Sequence, residues 1–336
     1  YCLDFDAKTG TLKHLNTTPA VNPTYLSIPV PGFLYTHTEL VEAEHPRMQT
    51  YRIDPRDHSL QLLGEVPVPG GYPCHVSYSE KYHAVIDACY QTGSVVIYPV
   101  GASGELLPAA RVLQHHGTGP NAARQERAHT HCVVVNDTLD RLLVTDLGID
   151  RIMIYKNAGS AGVEGFALSG EVVFPGGSGP RHIATHPSGR YHFVVSEMTS
   201  TVGMLRDEAG AVELLGVYES LPEELLGEGA AAAIRVSPDG RHVYVSDRAD
   251  GHIAVFRFDQ AKEGLELLTR VDTGGRTPRD IIFDPTGGWM LAAVQDIDAV
   301  RVFRVDAATG GLEFTHELTG IRSPACFTWW PEGAKG

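Results

Sequence analysis

A chain of 336 residues with 43% apolar and 20% charged residues has the make-up of a folded globular protein rather than a disordered one. Its formal net charge of −14 argues against a nucleic-acid partner, whose phosphates need a basic stripe, and no apolar run approaches the roughly 18 residues of a membrane helix. The opening Tyr1-Cys2-Leu3-Asp4 lacks the basic-then-apolar pattern of a secretion signal, and five cysteines (Cys2, Cys74, Cys89, Cys132, Cys326) without a C-x-x-C pair suggest free thiols in a reducing cytoplasm.

In chain order, Tyr1–Asp6 and Thr11–Leu15 read as two strands. A short apolar strand introduced by Pro or a small residue then recurs every 46 to 56 residues: Pro23-Thr24-Tyr25-Leu26, Pro73-Cys74-His75-Val76, His129-Thr130-His131-Cys132-Val133, Pro180-Arg181-His182-Ile183, Ala232-Ala233-Ile234-Arg235-Val236, Pro278-Arg279-Asp280-Ile281-Ile282 and Pro324-Ala325-Cys326-Phe327. Within a unit a tight turn follows, such as Ser237-Pro238-Asp239-Gly240 or Asp284-Pro285-Thr286-Gly287. Then come an alternating strand (His242–Ser246), a third (Gly251–Arg257) and a last (Leu265–Leu268). Helical periodicity is nearly absent; Leu221–Leu226 makes one or two turns at most. Seven four-stranded antiparallel units predict an all-β, seven-bladed β-propeller occupying residues 1–336 as a single domain. The seventh copy stops after one strand, Cys326–Trp330, so both termini are expected to close the last blade, with one strand of that blade expected before Tyr1.

Several chemistries can be set aside. There is no H-E-x-x-H zinc motif, no G-K-[ST] phosphate loop and no G-x-S-x-G elbow. Gly227-Glu228-Gly229 precedes a strand instead of joining a strand to a helix, and Asp296 and Asp298 read as a solvated turn, not a calcium loop. No cofactor or metal is expected. In a propeller, the first strands lie innermost, and polar residues at equivalent places in different blades can meet at the channel mouth. His131 and Arg181 each follow the opening residue of a first strand, while Glu197 and Arg248 end second strands in consecutive repeats. These four form the candidate catalytic group. His75, His129 and His182 lie on or beside first strands, and with Tyr90 and Gln125 they are candidates for substrate binding. His14, His37, His58, His83, His116, His192, His242 and His252 are expected in turns or on strand surfaces.

The block Gln114-His115-His116-Gly117-Thr118-Gly119-Pro120-Asn121, followed by Arg124-Gln125-Glu126 and His129-Thr130-His131, resembles the seven-bladed propeller lactonase family, which spans 6-phosphogluconolactonases and carboxy-cis,cis-muconate cyclases. So do Gly179-Pro180-Arg181-His182, Ser196-Glu197-Met198 and Ser246-Asp247-Arg248, and the resemblance runs over essentially the whole chain. It implies that His131, Arg181, Glu197 and Arg248 are catalytic and that an anionic sugar-acid lactone, most simply 6-phosphogluconolactone of the pentose phosphate pathway, is opened without a metal. Cycloisomerisation of an unsaturated dicarboxylate is the alternative within the family, and a non-catalytic scaffold is the alternative outside it.

Overall fold

The computed structural model describes residues 1–330 apart from 158, 160, 161, 209, 210 and 226. In chain order, β1 (Cys2–Asp6) and β2 (Thr11–Asn16) pair as a two-stranded sheet. Six four-stranded sheets follow: β3 (Leu26–Ser27), β4 (Phe33–His37), β5 (Arg47–Ile53) and β6 (Leu60–Pro67); β7 (Pro73–Ser79), β8 (Ala84–Cys89), β9 (Ser94–Pro99) and β10 (Arg111–Gln114); and β11 (Thr130–Asn136), β12 (Arg141–Asp146), β13 (Arg151–Asn157) and β14 (Phe166–Val173). The last three are β15 (Pro180–Thr185), β16 (Tyr191–Ser196), β17 (Thr201–Glu208) and β18 (Ala211–Glu219); β19 (Ala231–Val236), β20 (His242–Asp247), β21 (His252–Asp259) and β22 (Gly264–Asp272); and β23 (Pro278–Phe283), β24 (Trp289–Val294), β25 (Ala299–Val305) and β26 (Leu312–Thr319). Strands adjacent in sequence are neighbours in every sheet, and the four-stranded sheets are antiparallel throughout, as expected of propeller blades. No helix among the described residues is long and apolar enough to cross a membrane, and all five cysteines are free thiols.

By contacts the chain divides into two compact units, one of Asn16–Gly177 with residues 328–330, the other of Leu3–Leu15 with Ser178–Phe327. Within the first unit the first strands β3, β7 and β11 pack side by side; within the second, β15, β19 and β23 do the same. Burial falls across each sheet. The second strands β8, β12, β16, β20 and β24 are buried at all six positions, whereas the fourth strands β6 and β18 have no fully buried position. The alternation of the second strands therefore sorts side chains between two covered faces and not between core and water. Val243 and Val245 enter the core shared with Phe193 and Phe256, while Tyr244 between them enters the one shared with Ile281 and Met290. Burying each such side chain is worth roughly 1.5–3 kcal/mol. The fourth strand joins the third through a register shift in five sheets, at Thr50/Tyr51, Ile154/Tyr155, Met204/Leu205, Val255/Phe256 and Val302/Phe303, which twists the exposed edge away from further pairing.

Several local expectations are corrected. Cys326–Trp330 has no strand structure; the Phe327 amide is instead held by Asp280 Oδ2 at 2.8 Å. Of Pro23–Leu26 only Leu26 is in a strand, and of the helical stretch only Glu223–Leu225 coils, as a 3-10 turn, with Leu226 outside the described residues. His37, His192 and His242 are buried, not on the surface. His37 pairs with Asp87 at 3.1 Å and His192 with Asp207 at 3.2 Å, partners that periodicity could not reveal because they come from other strands. The Pro-Asp-Gly turn forms as expected, with the Gly240 amide bonded to Ser237 O and φ +77°.

The N-terminal sheet is fastened to the last complete blade of its unit. Trp289 of β24 donates Nε1–H to Ala7 O at 2.8 Å and meets Phe5 edge-on, and its ring fills the space above Gly10, where a Cβ would lie 2.3 Å from it. Gly10 also has φ +73°, so position and conformation both demand glycine. Gly10→Ala is expected to lower stability by about 2–3 kcal/mol, read as a shift of the urea midpoint. A second expectation concerns pH. Burial lowers the pKa of His242 from its ordinary value, with Asp239 opposing. Below about pH 6.5 the unfolded chain takes up a proton that the folded His242 resists, so this residue makes stability fall as pH falls. The stability gap between the wild type and His242→Gln should therefore shift in favour of the variant between pH 7.5 and 5.5, measured by urea unfolding at each.

Candidate active site

The same irregularity starts the first strand in five sheets. Its opening residue pairs with the last residue of the second strand (Pro73 with Cys89, Thr130 with Asp146, Pro180 with Ser196, Ala231 with Asp247, Pro278 with Val294). Pairing then skips Cys74, His131, Arg181, Ala232 with Ala233, and Arg279, respectively. Such a bulge takes a residue out of the ladder and re-aims its side chain. Directly after the second strands stand Tyr90, Leu147, Glu197, Arg248 and Gln295. Two recurrent places thus supply all four candidate catalytic residues of the sequence: His131 and Arg181 at the bulge, and Glu197 and Arg248 just past the second strand in consecutive sheets.

In the unit that holds them, Arg181, Glu197 and Arg248 come together. Glu197 Oε2 accepts from Arg181 Nε at 3.0 Å and lies 3.0 Å from Arg248 Nη2. Arg181 Nη1 donates to Ala232 O and to His182 Nε2, the latter at 3.2 Å, which makes His182 a neutral acceptor that orients the guanidinium. Arg248 Nε donates to Ala230 O at 2.9 Å. Arg181 and Glu197 are 3% and 8% exposed, and Arg248 is half-buried, so the carboxylate is ionised between two cations in a place from which water is largely excluded. Burial, and after it the Arg181 charge, lowers the pKa of Arg248, while Glu197 raises it. The cluster carries one net positive charge in a protein of net −14, the arrangement needed to hold a developing oxyanion.

In the other unit, His131, His129 and Tyr90 form a second group. The Tyr90 ring stacks on His129 (centroids 4.3 Å, 14°) and meets His131 edge-on at 5.8 Å. His129 Nδ1 bonds Tyr90 O at 2.8 Å and Nε2 meets Glu126 Oε2 at 3.2 Å, while Arg124 Nη2 reaches the Tyr90 hydroxyl at 3.4 Å. His131 Nδ1 is 3.9 Å from Cys74 Sγ. Gln125 is 0% exposed, its Nε2 donates to Leu147 O at 2.8 Å and its Oε1 accepts from the Asn121 amide at 3.1 Å, so it braces the loop. His75 is likewise engaged, by Cys132 Sγ at 3.3 Å, the Val133 amide at 3.4 Å and the Tyr25 ring. Sequence reading passed over Glu126, legible only as a carboxylate three residues before His129, and Arg279, although Pro278-Arg279 repeats Pro180-Arg181.

Residues 1–329 match the family model described as Lactonase, 7-bladed beta-propeller, and the chain belongs to that family: it is a lactone-hydrolysing enzyme on a seven-bladed propeller, its six four-stranded blades completed by the sheet of β1 and β2. It is 33% identical over 307 residues to the 6-phosphogluconolactonase of Bacillus subtilis (strain 168), covering 91% of this chain and 86% of that one. Among solved structures it is similar to the periplasmic gluconolactonase of Pseudomonas aeruginosa (TM-score 0.88, 28% identity, 96% of this chain and 93% of that one) and to a Lactobacillus plantarum protein (TM-score 0.89, 28% identity, 96% and 93%).

Removing Glu197 leaves the buried Arg181 and the half-buried Arg248 without the carboxylate between them. Glu197→Ala is expected to cost about 3–5 kcal/mol of stability, and Arg181→Met in the same background should recover part of it, both read by urea unfolding.

Proposed function

We propose that the enzyme hydrolyses 6-phosphogluconolactone to 6-phosphogluconate without a metal. The single observation that carries this reading is Glu197 Oε2 held at 3.0 Å from both Arg181 Nε and Arg248 Nη2. Opening a δ-lactone needs little more than such a group. Water attacks the carbonyl carbon while its proton passes to a base, the carbonyl oxygen becomes an oxyanion, and the ring C–O bond breaks as the ring oxygen takes a proton. Arg181 and Arg248 stabilise the oxyanion and the product carboxylate. Glu197 is the candidate for receiving the proton from water, and His131, brought in by the family resemblance, is the other. The similarity to the B. subtilis enzyme supports the phosphorylated sugar acid as substrate, and five free thiols support a reducing, cytoplasmic setting.

Purified protein treated with a chelator should hydrolyse the lactone well above the buffer rate in a pH-indicator assay. Arg181→Ala, Arg248→Ala and Glu197→Gln should each lower kcat by about 10²–10³. His131→Asn should lower it as well, and a double-mutant cycle with Glu197→Gln reads whether both act on one step. Hydrolysis no faster than buffer, or activity abolished by chelation, would rule the proposal out.

A further inference from the structure

Arg181 and His182 are neighbours in sequence, and on a regular strand their side chains would point to opposite faces of the sheet. The bulge at the head of β15 breaks that alternation: Pro180 pairs with Ser196 and His182 with Val195, and the ladder skips Arg181 between them. The guanidinium turns onto the ring of the next residue, with Nη1 at 3.2 Å from His182 Nε2. An arginine N–H can only donate, so Nε2 accepts and the proton of the neutral imidazole sits on Nδ1. The ring is 5% exposed, so water competes little for this contact.

Acceptors on three elements fix the plane of the Arg181 fork. Nε–H goes to Glu197 Oε2, just past β16, at 3.0 Å, and Nη1 donates to Ala232 O on β19 and to His182 Nε2 on β15. A planar guanidinium held at two of its three nitrogens cannot swing on its long side chain, which matters for a group that must meet an oxyanion at a set distance. Protonation of His182 reverses the contact: Nε2 becomes a donor, Nη1 loses an acceptor, and a second cation lies 3.2 Å from the guanidinium. The nearby carboxylates are already engaged. Glu197 is shared between Arg181 and Arg248; Asp247, beside Arg248, is bonded by Ser200 Oγ and the Ala249 amide; and Asp280 is paired with Arg235 at 2.8 Å. Burial pushes the carboxyls of Asp247 and Asp280 above their ordinary range, which weakens both as counter-charges.

We propose that His182 is a positioning residue: its neutral imidazole, accepting from Arg181 through Nε2, holds the guanidinium in the orientation that meets the oxyanion, and taking up a proton releases that hold. This rests on the hydrolytic reading above, in which Arg181 stabilises the oxyanion, and adds what keeps Arg181 in place. The rate of lactone opening then falls in acid through His182, apart from any titration of Glu197 or His131.

The test measures kcat and KM on 6-phosphogluconolactone between about pH 8 and pH 5 for wild type, His182→Gln and His182→Met, beside nitrogen NMR of histidine-labelled wild type and Arg181→Met. His182→Met removes the acceptor and should lower kcat near pH 7.5 about tenfold or more, with KM changed less. Glutamine sets a carbonyl oxygen at about the reach of Nε2 and does not titrate, so His182→Gln should exceed His182→Met by about threefold or more and hold its rate further into acid than the wild type does. In the NMR spectra the His182 ring should carry its proton on Nδ1 near pH 7.5, and its Nε2 signal should move in Arg181→Met. A wild-type kcat in His182→Met, a His182→Gln no faster than His182→Met, or a ring protonated on Nε2 near pH 7.5 would overturn the assignment. If His182→Met does not fold, the acid limb decides, and one that coincides in wild type and His182→Gln overturns it. Should the wild type hydrolyse no lactone, the hydrolytic reading falls by itself; NMR then still decides the contact, because an Nδ1–H ring whose Nε2 signal responds to Arg181→Met upholds it and any other tautomer or an unresponsive signal overturns it.

Discussion

The candidate site of this protein hangs on a backbone irregularity. At the head of the first strand of five blades one residue, or in one blade two, drops out of the ladder, so that side chains which would otherwise alternate into packed blade faces are re-aimed at one point of each strand. Arg181 is buried, where a guanidinium left without partners would cost several kcal/mol. The bulge lets the guanidinium meet Glu197 and the carbonyl of Ala232 instead. A repeated architecture thus varies its chemistry blade by blade at one position, with a thiol, an imidazole, a guanidinium, a methyl or another guanidinium, without changing the packing behind it.

That packing is uniform because each second strand is covered on both faces. The cost of placing charged groups at its end is met by backbone acceptors and by the opposite charge of a neighbouring blade, as with Arg248, bonded to Ala230 O and paired with Glu197. An Arg–Glu–Arg arrangement of this kind is not a net source of stability compared with apolar packing. In the proposed hydrolysis it would supply two fixed cations and a carboxylate within hydrogen-bond reach, set in a surround of low polarity.

The imidazoles divide by the same logic. His37 faces buried Asp87 of the next blade and His115 does the same with Asp146 Oδ2 at 2.7 Å, while His192 faces buried Asp207 on the adjacent strand of its own blade. His129 and His131 surround Tyr90 instead, with an acidic partner for His129 on an exposed loop. Their spacing along the chain does not distinguish these roles, since what separates them is the residue opposite on another strand.

The repeat of short strands, the Pro-Asp-Gly and Pro-Thr-Gly turns and the place of His131 and Arg181 after an opening residue were all legible in the sequence, because turn chemistry, strand alternation and repeat spacing are local properties of the chain. So was the correspondence of Glu197 with Arg248, which follows from counting within consecutive repeats. Three things were decided only by tertiary structure. Cys326–Trp330 carries a strand-like pattern but is drawn out of strand form, its Phe327 amide captured by Asp280. His37 and His192 look like surface residues but are buried on carboxylates supplied by other strands. Gln125, polar and in a distinctive block, has its amide bonded to the backbone of its own loop and of Leu147. In each case the deciding partner is distant in sequence or bound through backbone atoms that every residue shares, so no pattern of side chains along the chain could announce it.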